Sequence, residues 1–505
     1  MKYRKSALLS IAFLSVIATG ISQANDYGQG QENYSAAIPL DNAQDRHSQW
    51  RAVGRVQPSK ANPDLYCTAS LIDSRNGSPD ASGPAYILTS GHCVDLGSLN
   101  ISSDIPLDGH VDFDYFLGNM ENTDRYALKK LVRSTMRGAD LAIIELDTPL
   151  QSLLDKGIEP LKISPHLPPN GMNLLIVGIP SGHENAPALR LSACPLEGAE
   201  DLVEDVYVFR AFHKHRCKGL APGSSGSPVL DRISNQIVGV LSTSTRGVKA
   251  ENRCQQNAPC EIDNGQPVLA PETSYSNPAI GLKTCFSQGL FNPLDLECAL
   301  QSTLEMTLGG NYDPSTFSRV TTDDQGNAVL PKWSWSFSVD TPFYRHKTVR
   351  KPSECESPHY YGNAIDAKQA LIDDSIGPEP GLYFLCIIGV DSPEQRPARE
   401  MMNKPVIVAM EVAPPGPTRA PELKIERTTD GDYKVTPHYS HPWLWVYTFK
   451  SGPAEAVQCD DPQGYAAEFS KAKIIDAGQL PIKLCSKVYD LTRQPSAPRT
   501  DLLLP

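Results

Sequence analysis

The sequence predicts an all-β chain of several domains, and three observations carry that expectation. Short apolar runs split by turn residues recur from Trp50 onward, with few stretches of helical periodicity between them. Twelve cysteines stand in close successive pairs. Beyond residue 300 the chain repeats its own landmarks, 104 residues apart at Cys355 and Cys459 and 99 apart at Cys386 and Cys485.

In chain order, residues 1–24 read as a secretory signal. Lys2, Arg4 and Lys5 precede the mostly apolar run Ala7 to Ile17, and Ser22-Gln-Ala24 offers a small-residue cleavage site. Its removal takes away three positive charges and moves the formal net charge from -12 to -15. Such a balance argues against nucleic acid or an anionic membrane surface as the main partner. No later stretch is long and apolar enough to span a membrane, so none is expected in the mature chain. Residues 25–44 are polar and read as a flexible leader or propeptide.

From 45 to 300 the apolar runs are Trp50 to Val56, Tyr66 to Ile72, Tyr86 to Thr89, Leu141 to Leu146, Leu174 to Ile179, Val206 to Phe212, Pro228 to Leu230 and Ile237 to Leu241. Short, regularly spaced strands point to a sandwich or barrel. In an exported chain the default reading of the cysteines is disulfides. Their order suggests Cys67 with Cys93, Cys194 with Cys217, Cys254 with Cys260, Cys285 with Cys298, Cys355 with Cys386, and Cys459 with Cys485, although sequence alone does not fix connectivity. Zinc is the competing reading. It is not favoured, because no Cys-x-x-Cys pair exists and the histidines do not cluster around cysteines, and no metal or other cofactor is expected.

Residues 301–415 and 416–505 form the repeat. Thr321-Thr-Asp323 is matched by Thr428-Thr-Asp430, and Tyr344 before Cys355 by Tyr447 before Cys459; the Pro-rich joint Val412 to Pro421 lies between. Each copy has the size of a small disulfide-closed β-sandwich. Each is expected to fold alone, so that a chain ending near residue 305 would keep its activity.

Three blocks carry chemistry: Leu88-Thr-Ser-Gly-His-Cys-Val94, Ala139-Asp-Leu-Ala-Ile-Ile144 and Ala221-Pro-Gly-Ser-Ser-Gly-Ser-Pro-Val-Leu230. A serine hydroxyl is a poor nucleophile until an imidazole takes its proton, and the imidazole needs a carboxylate to fix its tautomer. Together with Cys67-Thr-Ala-Ser-Leu-Ile72, these blocks make residues 45–300 resemble a trypsin/chymotrypsin-type serine peptidase domain. The order His, Asp, Ser is the chymotrypsin order and not that of subtilisin or the α/β-hydrolases. The Gly-Ser-Ser-Gly-Ser-Pro form is similar to bacterial branches, including lysyl endopeptidases, rather than to the animal Gly-Asp-Ser-Gly-Gly-Pro.

The resemblance implies a double six-stranded β-barrel and a serine-type endopeptidase (a hydrolase). It implies His92 as general base and acid, Asp140 as the orienting carboxylate and Ser225 as the nucleophile. Gly223 and Ser225 would supply the oxyanion-hole N–H groups, and Cys93 would bridge back to Cys67. The rivals are weaker: Asp147 looks like an exposed turn, Asp95 stands too near His92, and Ser224 and Ser227 miss the reactive register. Ser224 stands where animal enzymes carry the Asp that receives a freed N-terminus, so that mode of activation is not expected. Gly219 and the wall Ser242-Thr243-Ser244 would form the specificity pocket. It would hold no acid, and neutral residues would be favoured, unless an insertion near Cys217 brings Glu200, Asp201 or Glu204 within reach. Leu241 stands where glutamate-specific relatives tend to have a histidine. His213 and His215 read as members of a solvent-facing strand.

The expectation is therefore a bacterial, secreted or periplasmic serine endopeptidase acting on proteins or peptides, with two C-terminal repeats that could hold substrate or a surface or transport partner. The alternative is an exported binding protein or adhesin on an inactive peptidase fold. An α/β-hydrolase esterase fails on chain order and on Ser227, which breaks Gly-x-Ser-x-Gly.

Overall fold

The structure, a computed structural model, describes residues 25–505 except 63, 95–98, 184–186, 296, 301, 303, 309–315 and 403–404. The secretory signal expected over residues 1–24 lies outside the described residues, as does Asp95. No described helix is long and apolar enough to cross a membrane.

Two closed six-stranded barrels lie in the first 278 residues. Strands β1 (Val53–Gln57), β2 (Cys67–Ile72), β3 (Pro84–Thr89), β4 (His110–Phe113), β5 (Asp124–Thr135) and β6 (Leu141–Pro149) pair in the ring β4–β1–β2–β3–β6–β5, and β5 returns to β4. The second ring holds β7 (Asn173–Gly178), β8 (Arg190–Glu204), β9 (Tyr207–His215), β10 (Pro228–Asp231), β11 (Ile237–Ser244) and β12 (Ser274–Pro278), in the order β7–β10–β11–β12–β9–β8 and back to β7. Closure pairs each strand of a ring on both sides, except that β9 covers β8 only from Leu196 onward and leaves the edge at Arg190 and Leu191 open. Apolar side chains of both rings share one core, with Leu71, Ile87, Leu88, Ile143 and Ile144 of the first joining Leu175, Val177, Leu230 and Val240 of the second, while Leu174, Ile176, Val229, Val238 and Leu241 pack in a separate cluster. The tail closed by Cys285–Cys298 folds back on the first barrel, where the Phe286 ring lies 5.3 Å from that of Tyr86. All six cysteine pairs suggested by the order of the residues are disulfides.

Residues 25–44 depart from expectation. The segment is pinned along the second barrel instead of hanging free. Asp26 pairs with Arg232 at 2.7 Å, Ile38 and Pro39 pair with Leu191 and Arg190 on β8, and the buried Leu40 donates its N–H to Leu189. Polar composition hides this, because strand addition works through backbone hydrogen bonds that any side chain permits.

Each C-terminal unit is a pair of small sheets with apolar side chains between them. In the first, the sheet containing Phe343–Val349, Gly381–Val390 and Val406–Ala413 faces the one containing Trp335–Val339, with Trp335, Phe337, Tyr344, Leu385 and Val408 buried together. In the second, Leu444–Gly452, Ile482–Asp490 and Arg499–Leu503 form one sheet and Glu422–Arg427 and Tyr433–His438 belong to the other, around Val435, Tyr447, Phe449 and Leu484. Local details recur. Lys347 stands opposite Cys386 with its ammonium over the Tyr361 ring, and Tyr361 donates to the Cys355 carbonyl. Lys450 stands opposite Cys485 near the Tyr465 ring, and Tyr465 donates to the Cys459 carbonyl.

The units are not independent of the barrels, contrary to expectation. Tyr207, Phe209, Phe212 and Tyr275 of the second barrel share one core with Leu304, Trp333, Leu385 and Val408. The buried Arg137 donates to the Leu304 carbonyl at 2.7 Å, and Arg210 pairs with Glu356 at 2.9 Å. The second unit is held to the first by the buried ion pair Arg319–Asp490 at 2.6 Å and by Trp443, which stacks on Phe317. A chain ending near residue 305 would uncover those four rings. Burial of one large apolar side chain contributes roughly 1.5–3 kcal/mol, so the combined loss approaches the whole stability of an ordinary domain. The truncated chain is expected to aggregate or to bind a hydrophobic dye strongly. A soluble monomer with the near-ultraviolet dichroism of the intact barrels would refute this.

Candidate active site

His92 sits in the short 3-10 turn Gly91–Cys93 that follows β3, and Asp140 stands immediately before β6. Strands β3 and β6 are paired, which brings the two segments side by side. Gly91 makes the approach feasible: a Cβ there would lie 2.5 Å from the Thr135 carbonyl oxygen and 3.1 Å from Asp140 Oδ1. The His92 backbone N–H donates to Asp140 Oδ1 at 2.9 Å, and Nδ1 lies 2.8 Å from Oδ2. The carboxylate is 1% exposed, so Nδ1 carries the proton as donor and Nε2 keeps its lone pair.

Two further groups hold the acid. Ser242 Oγ donates to Asp140 Oδ2 at 2.5 Å, and the Asp140 N–H donates to Asn277 Oδ1 at 3.1 Å. Burial would raise the Asp140 carboxyl, but the charge of His92 and the hydrogen bonds from His92 and Ser242 outweigh it and hold the group below its ordinary value. Burial would likewise lower the His92 imidazole, and the charge and hydrogen bond of Asp140 prevail and hold it above its ordinary value. Asp147, the rival acid, is exposed toward the end of β6.

Ser225 lies in the tight turn between residues 221 and 227. Its carbonyl accepts the Thr68 N–H at 2.8 Å, and Thr68 Oγ1 donates to the Gly223 carbonyl at 2.8 Å. The Cys67–Cys93 disulfide ties Thr68's neighbour to that of His92, and Thr68 is in turn bonded to the serine turn. A bridge closing a loop of this length contributes about 3 kcal/mol. Ser90 Oγ and the Gly226 N–H both donate to the Leu241 carbonyl, which fixes the same approach from β11. Gly223 has φ +92° and Gly226 φ +82°; a Cβ on the latter would fall 2.1 Å from Thr68 O. The rival serines are buried in the turn's own bonding: Ser227 Oγ donates to the Ser224 carbonyl at 2.6 Å, and the Ala221 N–H donates to Ser224 Oγ. Ser225 is half-buried. Among the described residues, the N–H groups of Gly223 and Ser225 donate to no protein acceptor.

The residues expected to wall the specificity pocket divide. Ser242 holds Asp140, Thr243 faces a cavity beside His92, and Ser244 Oγ donates to the Thr273 carbonyl. Gly219, with φ +79°, is packed against the pinned leader, where a Cβ would meet Ala37 N at 2.3 Å. Of the three acids held in reserve, Asp201 pairs with Arg210, Glu200 lies 4.0 Å from Lys214, and Glu204 lines the cavity beside His92. Asn277 and Thr68 were not foreseen as site residues.

His213 and His215 are not solvent-facing. They are 3% and 0% exposed inside the second barrel, and burial lowers their imidazoles to about 4 and about 3. Strand β9 places both on one face by its two-residue period, and that face turned out to be inward. Sulfur and imidazole meet at Cys67, His92 and Cys93 and at Cys194, His215 and Cys217, but disulfides consume the cysteines of both groups, leaving no thiolate for a metal.

Residues 67–240 match the trypsin-like peptidase domain, and a domain of that kind supports a serine-type peptidase, a hydrolase. No curated protein matches it. Similar solved structures include the active form of the Rv3671c protease from M. tuberculosis, at 15% identity over 54% of this chain and 90% of that one, with a TM-score of 0.29. A Glu endopeptidase shares 15% identity over 49% and 92% at 0.30, and the thermostable serine protease AL20 from an extremophilic microorganism 16% over 49% and 98% at 0.32.

Proposed function

We propose that the protein is an exported serine endopeptidase that forms an acyl-enzyme on Ser225. One observation carries the reading: the Asp140–His92 pair, anchored by Ser242, stands beside the Ser225 turn to which Cys67–Cys93 ties it. His92 Nε2 takes the proton of Ser225 Oγ as the oxygen attacks the substrate carbonyl. The N–H groups of Gly223 and Ser225 receive the oxyanion, since neither donates to a protein acceptor among the described residues. His92 then gives the proton to the leaving amine, and water attacks the ester by the same route in reverse. Six disulfides support export. The recurring Lys–Tyr–Cys arrangement supports reading the two C-terminal units as copies of one module.

A fluorophosphonate probe is expected to label Ser225 alone, at a rate that rises with pH as His92 loses its proton. The rise should come above the ordinary histidine range, because Asp140 holds the imidazole up. An intact protein that takes no label would instead be the binding protein of the alternative reading.

A further inference from the structure

The cavity beside His92 contains an acid that the reaction does not use. It measures about 300 Å³, and its lining includes His92, Asp140, Thr243, Glu204, Asp205 and Tyr207. Glu204, at the end of β8, is 8% exposed. One carboxylate oxygen accepts the Asn257 N–H at 2.7 Å and the Thr243 hydroxyl lies close enough to pull on the group, but Oε2 has no partner at full hydrogen-bond geometry. A carboxylate half satisfied in this way is costly, and each native instance calls for an explanation. No Lys or Arg lines the cavity.

We propose that Glu204 is a specificity-determining residue, receiving the ammonium or guanidinium of a substrate Lys or Arg side chain. The inference rests on the peptidase reading and deepens it. The fit is chemical: the methylene stem would lie on Met136, Tyr207 and Phe209, and the cationic head would pair with the Glu204 carboxylate where it lines the cavity. The bound residue is not the one whose carbonyl is attacked. That residue must sit at Ser225, and neither Ser225, Gly223 nor Gly219 lines this cavity. The subsite therefore takes a neighbouring residue of the substrate.

The charge of the subsite is itself adjustable. Burial raises the Glu204 carboxyl to about 7, against the pull of the Thr243 hydroxyl, the Asn257 amide and the charge of His92. The titratable groups around it are His92, Asp140, Asp205 and Tyr207. His92 and Asp140 act on every substrate alike, so a ratio between two substrates at one pH removes them, and E204Q separates Glu204 from Asp205.

The test uses peptide pairs that are identical except for Lys against norleucine, and Arg against citrulline, at each position around the cleavage site. At one position the cation should be favoured on the order of 10- to 100-fold in kcat/KM at pH 8. The ratio should shrink at pH 5.5 as Glu204 takes up its proton, and E204Q should bring it near one. The same ratios are read as Kd on the Ser225→Ala protein with and without E204Q. Retained cation preference in binding without any cleavage would sink the peptidase reading and leave this inference standing. Cleavage with ratios near one at every position, or with a cation preference that E204Q and pH leave unchanged, would overturn the inference. If E204Q does not fold, the pH dependence in the unaltered protein decides.

Discussion

Ser225→Ala is expected to lower kcat by about a million-fold while leaving the fold intact. The side chain is half-buried, and the bonds that hold the turn come from backbone and neighbours: Thr68 N–H to the Ser225 carbonyl, Gly226 N–H to Leu241, and Ser227 Oγ to Ser224. Removal of Oγ leaves all of them in place. Triad members work as a unit, so adding His92→Ala should reduce the rate little further. Asp140→Asn is expected to cost about 10⁴-fold, because an amide facing Nδ1 no longer compels that nitrogen to carry the proton. Steady-state kinetics on a peptide substrate would measure these losses, with melting temperature as the folding control. A folded Ser225→Ala protein that turns over normally would remove Ser225 from the mechanism.

What could be read from the sequence follows from how locally each feature is encoded. The blocks around His92, Asp140 and Ser225 are contiguous signatures, since each residue must be held by its own neighbours, and so they were visible. The cysteine pairs were visible because each closes a short loop. Strand β12 was not, because Ser-Tyr-Ser-Asn-Pro carries no apolar alternation and is fixed only by pairing with β9 and β11. Strand β5 mixes charged residues into its run, Asp-Arg-Tyr-Ala-Leu-Lys-Lys-Leu, and was missed for the same reason. The pinning of the leader depends on a free edge of β8. The placements of Ser242, Asn277 and Glu204 arise where distant strands meet, and residue spacing says nothing of that. The serine at 242 was noticed, but as a pocket wall and not as the anchor of Asp140.

Acidification is expected to destabilise the protein steeply between pH 6.5 and about pH 4.5. Three imidazoles are held neutral in the native state. His213 and His215 are lowered to about 4 and about 3 by burial, and both ring nitrogens of His215 are without partners. His441 is lowered to about 3, first by burial and then by the charge of Arg253, which donates Nη1–H to its Nε2 at 2.9 Å. In the unfolded chain each titrates near its ordinary value, so below that pH the unfolded state binds protons that the native state refuses, and stability falls with pH. Each such histidine contributes a slope of about 1.4 kcal/mol per pH unit, or about 4 for three. Glu204, raised to about 7, acts in the opposite sense: the native state takes its proton before the unfolded state does, which offsets one histidine between pH 7 and the ordinary glutamate range. The net slope is then about 3 kcal/mol per unit, enough to consume ordinary domain stability within two or three units. Because His441 belongs to the junction where Arg253 also pairs with Glu411 and Trp443 donates to that carboxylate, its protonation should loosen the second C-terminal unit along with the whole. Denaturant unfolding across this range gives the slope directly. His215→Leu, which replaces two unpartnered nitrogens with methyl groups, should lower it by one proton and raise stability at pH 5. A slope that His215→Leu leaves unchanged would show that this imidazole is charged, or solvated, in the native barrel.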